Sequence, residues 1–225
     1  MPEPLPVVFL FDVDNTLLDH DRVVADMRRH ITRVFGPDRA DCYWEIFNEL
    51  RNEVGYADYL GALQKYRSEN PRDPGFLELS MWLLDYPFAN RLFPGSLDVV
   101  EKFAGWGPTV IVSDGDVVFQ PRKIRRSGLY EAFEGRVLVY IHKEHELDDV
   151  EQRFPADHYV LIDDKVRVLT DVKRIWGSKV TTVFPKQGHY AMEPDIETKY
   201  PEPDITVKAI GDLVAFNLPA FRGIY

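Results

Sequence analysis

The chain has 225 residues, 45% hydrophobic and 28% charged, enough to bury a sizeable apolar core in one large domain or in a core domain with a smaller insert. Its 27 Lys and Arg stand against 37 Asp and Glu, a formal net charge of -10, which argues against nucleic acid as a main partner because binding a phosphate backbone needs basic surface. Cys42 is the single cysteine, which excludes an intrachain disulfide and a cysteine-based zinc site, and the early apolar run Val7–Phe11 follows no basic stretch and is too short for a signal peptide or a membrane span. No membrane partner and a cytoplasmic location are therefore the default expectations.

Val7-Val8-Phe9-Leu10-Phe11 shows no apolar–polar alternation, which predicts a strand buried on both faces, as in the middle of a parallel sheet. Asp12 and Asp14 follow it, with Asn15 and Thr16 behind. Beyond Leu18 the period changes. Val23, Val24, Met27, Ile31, Val34 and Phe35 predict a helix over Asp21–Phe35, ended by Gly36-Pro37-Asp38. Further helical spacing covers Asp41–Val54, the stretch from Tyr59 to Tyr66, and Phe76–Leu84, where Asp73-Pro74 reads as an N-cap and first helical position. No strand pattern appears between residues 20 and 90, so this part reads as a separate all-helical insert.

From Pro94 onward strands and helices alternate. Helices are expected at Leu97–Phe103, Val117–Ser127, Glu144–Arg153, Lys165–Trp176 and Ile210–Phe216. Strands are expected at Thr109–Val112, Val137–Ile141, Tyr159–Ile162, Val180–Phe184 and Ile205–Val207, with Pro185–Pro203 as a surface loop. This alternation predicts an α/β fold, a doubly wound parallel sheet with an inserted helical domain. The expected division is residues 1–18 and 92–225 for the core and 19–91 for the insert.

Parallel sheets carry their chemistry at the carboxyl ends of the strands. Asp12 and Asp14 end the first strand, Ser113-Asp114 the second, His142-Lys143 the third and Asp163-Asp164 the fourth. Each alone has an ordinary explanation, as a turn, a helix cap or a solvated charge. Together they would bring two carboxylate pairs, a hydroxyl and an amine to one edge. His142 and His145 read as a solvated helix start, and Gln187-Gly188-His189-Tyr190 could border the cleft.

Asp-x-Asp-x-Thr, then Ser113, Lys143 and an acidic pair, in this order and each at a strand end, resembles the four motifs of the haloacid-dehalogenase-like hydrolases. The resemblance implies a Mg²⁺-dependent phosphatase acting on a small phosphorylated metabolite. Asp12 would be the nucleophile, forming an aspartyl-phosphate, and Asp14 the general acid and base. Ser113 would bond a phosphoryl oxygen and Lys143 would neutralise charge, with Thr16 and Asp114 in support. Asp12, the Asp14 carbonyl and Asp164 would bind Mg²⁺, Asp163 acting through a water. Many relatives follow the lysine with a proline; here Glu144-His145 follows, which leaves Lys165 as a competitor for the role. Dehalogenases of the family have a non-acidic residue where Asp14 stands. Residues 19–91 match the helical cap of relatives, with hinges near Leu18–Asp21 and Tyr86–Phe93, and Arg28, Arg51, Arg67, Tyr56 and Tyr59 are candidates for its inner face. A phosphomutase and a non-catalytic regulatory protein are the alternatives, as a monomer or homodimer.

Overall fold

The first strand, β1 (Val8–Phe11), lies inside a six-stranded, fully parallel sheet of order β3-β2-β1-β4-β5-β6. The other strands are β2 (Thr109–Asp114), β3 (Val137–Tyr140), β4 (Tyr159–Ile162), β5 (Val180–Pro185) and β6 (Ile205–Val207). The computed structural model describes residues 5–221, so both extremes of the expected core lie partly outside the described residues. All four β1 side chains are buried, and they divide between two cores. Phe9 and Phe11 pack in one apolar cluster, Val8 and Leu10 in the other. Helices cover both faces of the sheet, which is why the sequence of β1 has no polar alternation.

Between β1 and the rest of the sheet the chain forms four helices, α1 (His20–Phe35), α2 (Pro37–Val54), α3 (Tyr59–Glu69) and α4 (Gly75–Asp85). Helix α2 starts four residues before the apolar pattern does, because Pro37 is pre-set for the first helical position and Gly36, at φ +80°, turns the chain into it. The return to the sheet carries α5 (Ser96–Ala104), α6 (Phe119–Arg126), α7 (Leu129–Ala132), α8 (Leu147–Arg153), α9 (Val166–Trp176) and α10 (Ile196–Lys199). The two crossings of the insert run side by side. The Asp19 amide donates to the Arg91 carbonyl (2.7 Å) and the Phe93 amide to the Leu17 carbonyl (2.9 Å). The insert also packs on the core: Phe119 of α6 meets Tyr59 and Phe88 at 5.3 and 5.8 Å between ring centres.

Three expectations need correction. The Glu144–Arg153 helix is broken into a 3-10 turn, Lys143–His145, and α8, because the chain must first turn Lys143 back into the sheet edge. The last helix is a 3-10 segment, Ile210–Ala215, in which Gly211 lies so close to the start of α5 that an added Cβ would meet the Pro94 carbonyl at 2.7 Å. Pro185–Pro203 is not a plain surface loop. It contains a 3-10 turn and α10, and Gln187 within it is buried. Among the described residues no helix is long and apolar enough to cross a membrane.

Asp73 ties three helices of the insert together. Its carboxylate accepts from the Gly75 amide at the start of α4 (2.9 Å), the Tyr66 phenol of α3 (2.8 Å) and the Arg39 guanidinium of α2 (2.8 Å). Burial opposes its ionisation, but these donors outweigh burial and hold the carboxyl below the usual carboxylate range. A carboxyl depressed in the folded state contributes stability that is present above its unfolded pKa, near 4, and is lost as pH falls through the folded value. Asp73→Asn should therefore lower stability by about 2 kcal/mol at pH 7. Thermal melts between pH 7 and pH 2 should show the variant losing less on acidification than the parent chain.

Candidate active site

Sheet register creates the site. In a 3-2-1-4-5-6 sheet the strand order reverses between β1 and β4, and the crevice beyond their carboxyl ends is where such folds bind ligands. Phe11 lies opposite Ile162, so Asp12 and Asp163 leave the sheet side by side, and the Asp12 amide still donates to the Ile162 carbonyl (2.9 Å). On the other flank Phe11 lies opposite Ile111, two residues before Ser113, which sits inside β2 rather than after it. Three residues beyond β3, Lys143 enters the same space.

Lys143 is 2% exposed and its Nζ lies 2.5 Å from Asp12 Oδ1 and 2.6 Å from Asp163 Oδ2. Its amide donates to Asp114 Oδ1 (2.8 Å). Burial opposes a charged ammonium, but Asp12, Asp163 and Asp114 outweigh it and push Lys143 well above the usual lysine value. The competitor, Lys165, reaches Asp114 Oδ2 at 3.9 Å and lies over the Tyr190 ring, away from direct contact with Asp12. Lys143 is thus the lysine in contact with the first carboxylate.

Asp163 is committed twice, to Lys143 and, through Oδ1, to the Lys165 amide (2.8 Å) that opens α9. Asp164 differs. Its amide donates to Thr16 Oγ1 (3.0 Å), but both carboxylate oxygens are buried without a hydrogen-bond partner, as is Asp12 Oδ2. Ligand atoms of Asp12, Asp163 and Asp164 lie within 4.8 Å of one another. Burial, then repulsion by Asp12 and Asp163, pushes the Asp164 carboxyl well above its ordinary value, and burial raises Asp163 as well. Hard oxygen donors, orphaned and mutually repelling, fit a divalent cation such as Mg²⁺, whose charge would reverse these shifts.

Asp14 stands apart from this cluster, with its side chain 25% exposed to a cleft of about 590 Å³. Lys123 of α6, 1% exposed, brackets it at 2.5 and 2.6 Å. Gln120, one turn earlier, donates to Ser113 Oγ (2.8 Å) and reaches Asp14 Oδ2 at 3.4 Å. His20 Nδ1 is 3.5 Å from Asp14, and its Nε2 is 3.1 Å from the Tyr59 hydroxyl. Burial holds His20 down to about 4, so it is neutral at physiological pH. Burial would raise Asp14, but the charges of His20 and Lys123 and the Lys123 hydrogen bonds outweigh it and keep the carboxyl well below its usual range. With His20 neutral above pH 5, Lys123 is the partner that sustains this near neutrality.

Lys123, Gln120 and His20 are absent from the sequence-based site. The spacing Gln120-x-x-Lys123 on one helix face was the available signal, but a lysine among Arg122, Arg125 and Arg126 reads as a solvated face. The stretch Gln187–Tyr190 does border the cleft. Gln187 Nε2 donates to the carbonyls of Asn15 (3.0 Å) and Thr16 (2.7 Å), while its Oε1 accepts from the Ile210 amide (2.9 Å). Gly188, at φ +75°, lies so close to Asn15 that an added Cβ would sit 2.5 Å from the Asn15 Cβ. Arg28, Arg51, Tyr56 and Tyr59 line the cleft; Arg67 does not, and lies over Phe76 instead. His142 and His145 meet edge to face at 5.6 Å, and no third ligand joins them among the described residues.

A family model for haloacid dehalogenase-like hydrolases matches residues 7–167. A crystal structure described as a haloacid dehalogenase-like hydrolase from Burkholderia xenovorans is 57% identical, with a TM-score of 0.91 over 96% of this chain and 99% of that one. The HAD-hydrolase YfnB from Bacillus subtilis, bound to magnesium, shares the fold at 18% identity and TM-score 0.61, covering 94% and 97%. The L-2-haloacid dehalogenase PA0810 shares it at 14% identity and TM-score 0.59, covering 94% and 98%. A comparison with curated proteins found no match. With a matching model over most of its length and a relative of 57% identity, this chain belongs to the haloacid dehalogenase-like hydrolases.

Proposed function

We propose that the chain is a Mg²⁺-dependent phosphomonoester hydrolase acting on a small metabolite. The observation that carries this reading is the second carboxylate, Asp14, facing the cleft two residues after a buried Asp12. Dehalogenases of the family carry a non-acidic residue there. Carbon–halogen cleavage releases a halide that needs no proton, whereas an alkoxide leaving group does.

In this reading Asp12 attacks phosphorus and the ester oxygen departs, giving an aspartyl-phosphate on Asp12 and an alcohol. Lys143 and Ser113 hold the equatorial oxygens, with Thr16 and Asp114 fixing the turns that carry Asp164 and Lys143. Asp14, ionised in the free site, passes to the leaving oxygen a proton that the substrate brings, then takes a proton from the water that attacks the aspartyl-phosphate and frees phosphate. Its depressed carboxyl suits the second half of the cycle. A phosphomonoester, with a second pKa of about 6, still carries in part near neutral pH the proton needed for the first half. Mg²⁺ held by Asp12, the Asp14 carbonyl and Asp164, with Asp163 behind a water, would supply a Lewis acid and neutralise the carboxylates and phosphate. Residues 19–91 act as the cap over a core of residues 1–18 and 92–225, closing on the paired crossings at Leu18 and Leu92 and excluding water.

With Mg²⁺, purified protein should release inorganic phosphate from phenyl phosphate, and a chelator should abolish release. Asp12→Asn should show no turnover, and full activity in that variant would sink the covalent mechanism. Asp14→Asn should lower kcat by about 10²–10⁴-fold, the usual worth of a general acid and base. Incubation with 2-chloropropionate should yield no chloride by ion chromatography; chloride release dependent on Asp12 would move the reading to dehalogenation.

A further inference from the structure

The helical wall of the cleft carries two arginines, Arg28 on α1 and Arg51 on α2. Neither forms an ion pair with a carboxylate among the described residues. Arg28 lies over the Trp44 ring at 4.0 Å, and Arg51 donates to the Tyr190 hydroxyl across the cleft mouth (3.1 Å). Three of the acids that line the cleft are engaged elsewhere, Asp14 with Lys123, Asp21 with His189 and Asp114 with the Lys143 amide, and the fourth, Glu193, forms no ion pair with either arginine. A guanidinium stacked on one face, or bonded through one nitrogen, keeps further N–H groups to offer, in a fork that matches an oxyanion.

The two arginines stand on the leaving-group side. Burial raises the Tyr59 phenol, and both arginines are near enough to offset part of that rise. Tyr59 bonds His20, and His20 faces Asp14. The wall between them is aromatic, with Trp44 meeting Phe47 edge to face and Phe47 stacked on Tyr59. A bare phosphate would be held by the sheet edge and would leave these groups idle. Resting on the phosphatase reading, we propose that the natural leaving group carries a second oxyanion, a carboxylate or another phosphate, on an apolar body, and that Arg28 and Arg51 select it.

The test compares kcat/KM for phenyl phosphate, 4-carboxyphenyl phosphate and 1,4-phenylene bisphosphate with Mg²⁺. The expected preference for a charged substrate is on the order of 10- to 100-fold, the effect of charge-assisted hydrogen bonds to a fixed partner. The better of the two charged substrates distinguishes carboxylate from phosphate. Arg28→Gln and Arg51→Gln should each lower the charged-to-neutral ratio by roughly tenfold. Equal kcat/KM for charged and neutral substrates, or a ratio unmoved in both variants, overturns the proposal. Calorimetry on Asp12→Asn separates it from the reaction itself. Arginine-dependent preference for the carboxylated compound, without hydrolysis by the parent chain, would defeat the phosphatase reading and keep the selection. Hydrolysis without preference would defeat the selection alone.

Discussion

Three carboxylates and one ammonium meet where β1 and β4 end, and the rest of the molecule is arranged so that this can happen in a buried place. The pairing of Phe11 with Ile162 leaves no choice about where Asp12 and Asp163 go. Like charges at such separation, out of water, would drive one another to protonate. Lys143 answers two of them, and Asp164 together with Asp12 Oδ2 is left with an unanswered demand for positive charge. Such a cluster fits a cation for the same reason that its carboxylates are costly to bury together.

The second carboxylate of the first motif has a different environment because the backbone reverses immediately after it. Asn15 adopts φ +59°, which asparagine tolerates better than most residues, and Leu18 closes the turn onto Asp14. That turn directs Asp14 outward to Lys123 and His20 while Asp12 stays inward. Gln187 holds the turn by two carbonyls, and Asp21 at the start of α1 is bonded by Asn15 and His189. Hydrogen bonds therefore link the turn that carries Asp12 and Asp14 to the start of the helical insert and to the loop after β5. His20 and Tyr59 join Asp14 to the insert.

Much of the fold was legible from local pattern. The unbroken apolar run of β1, the 3.6-residue spacing of α1 to α4 and the alternation after Pro94 each follow from side-chain burial that a sequence displays directly. The four motif positions were legible for a related reason: each lies within three residues of the carboxyl end of a strand, and a parallel sheet brings those ends to one edge whatever lies between. Less legible were places where neighbours decide the outcome. The turn at Lys143–His145 exists because its lysine must reach the sheet edge, and the hydrophobic spacing of Glu144–Arg153 says nothing about that demand.

Composition and order thus determined the class of fold, the family motifs and the candidate nucleophile, because these depend on periodicity and on which residues follow each strand. Only tertiary structure decided between Lys143 and Lys165 as the partner of Asp12, brought Lys123 and Gln120 from a basic helix to Asp14 and Ser113, and turned Gln187 from loop residue to anchor. Those contacts join residues up to 172 positions apart, and no local pattern encodes which of several lysines or glutamines the folded sheet will bring within reach of a buried carboxylate or carbonyl.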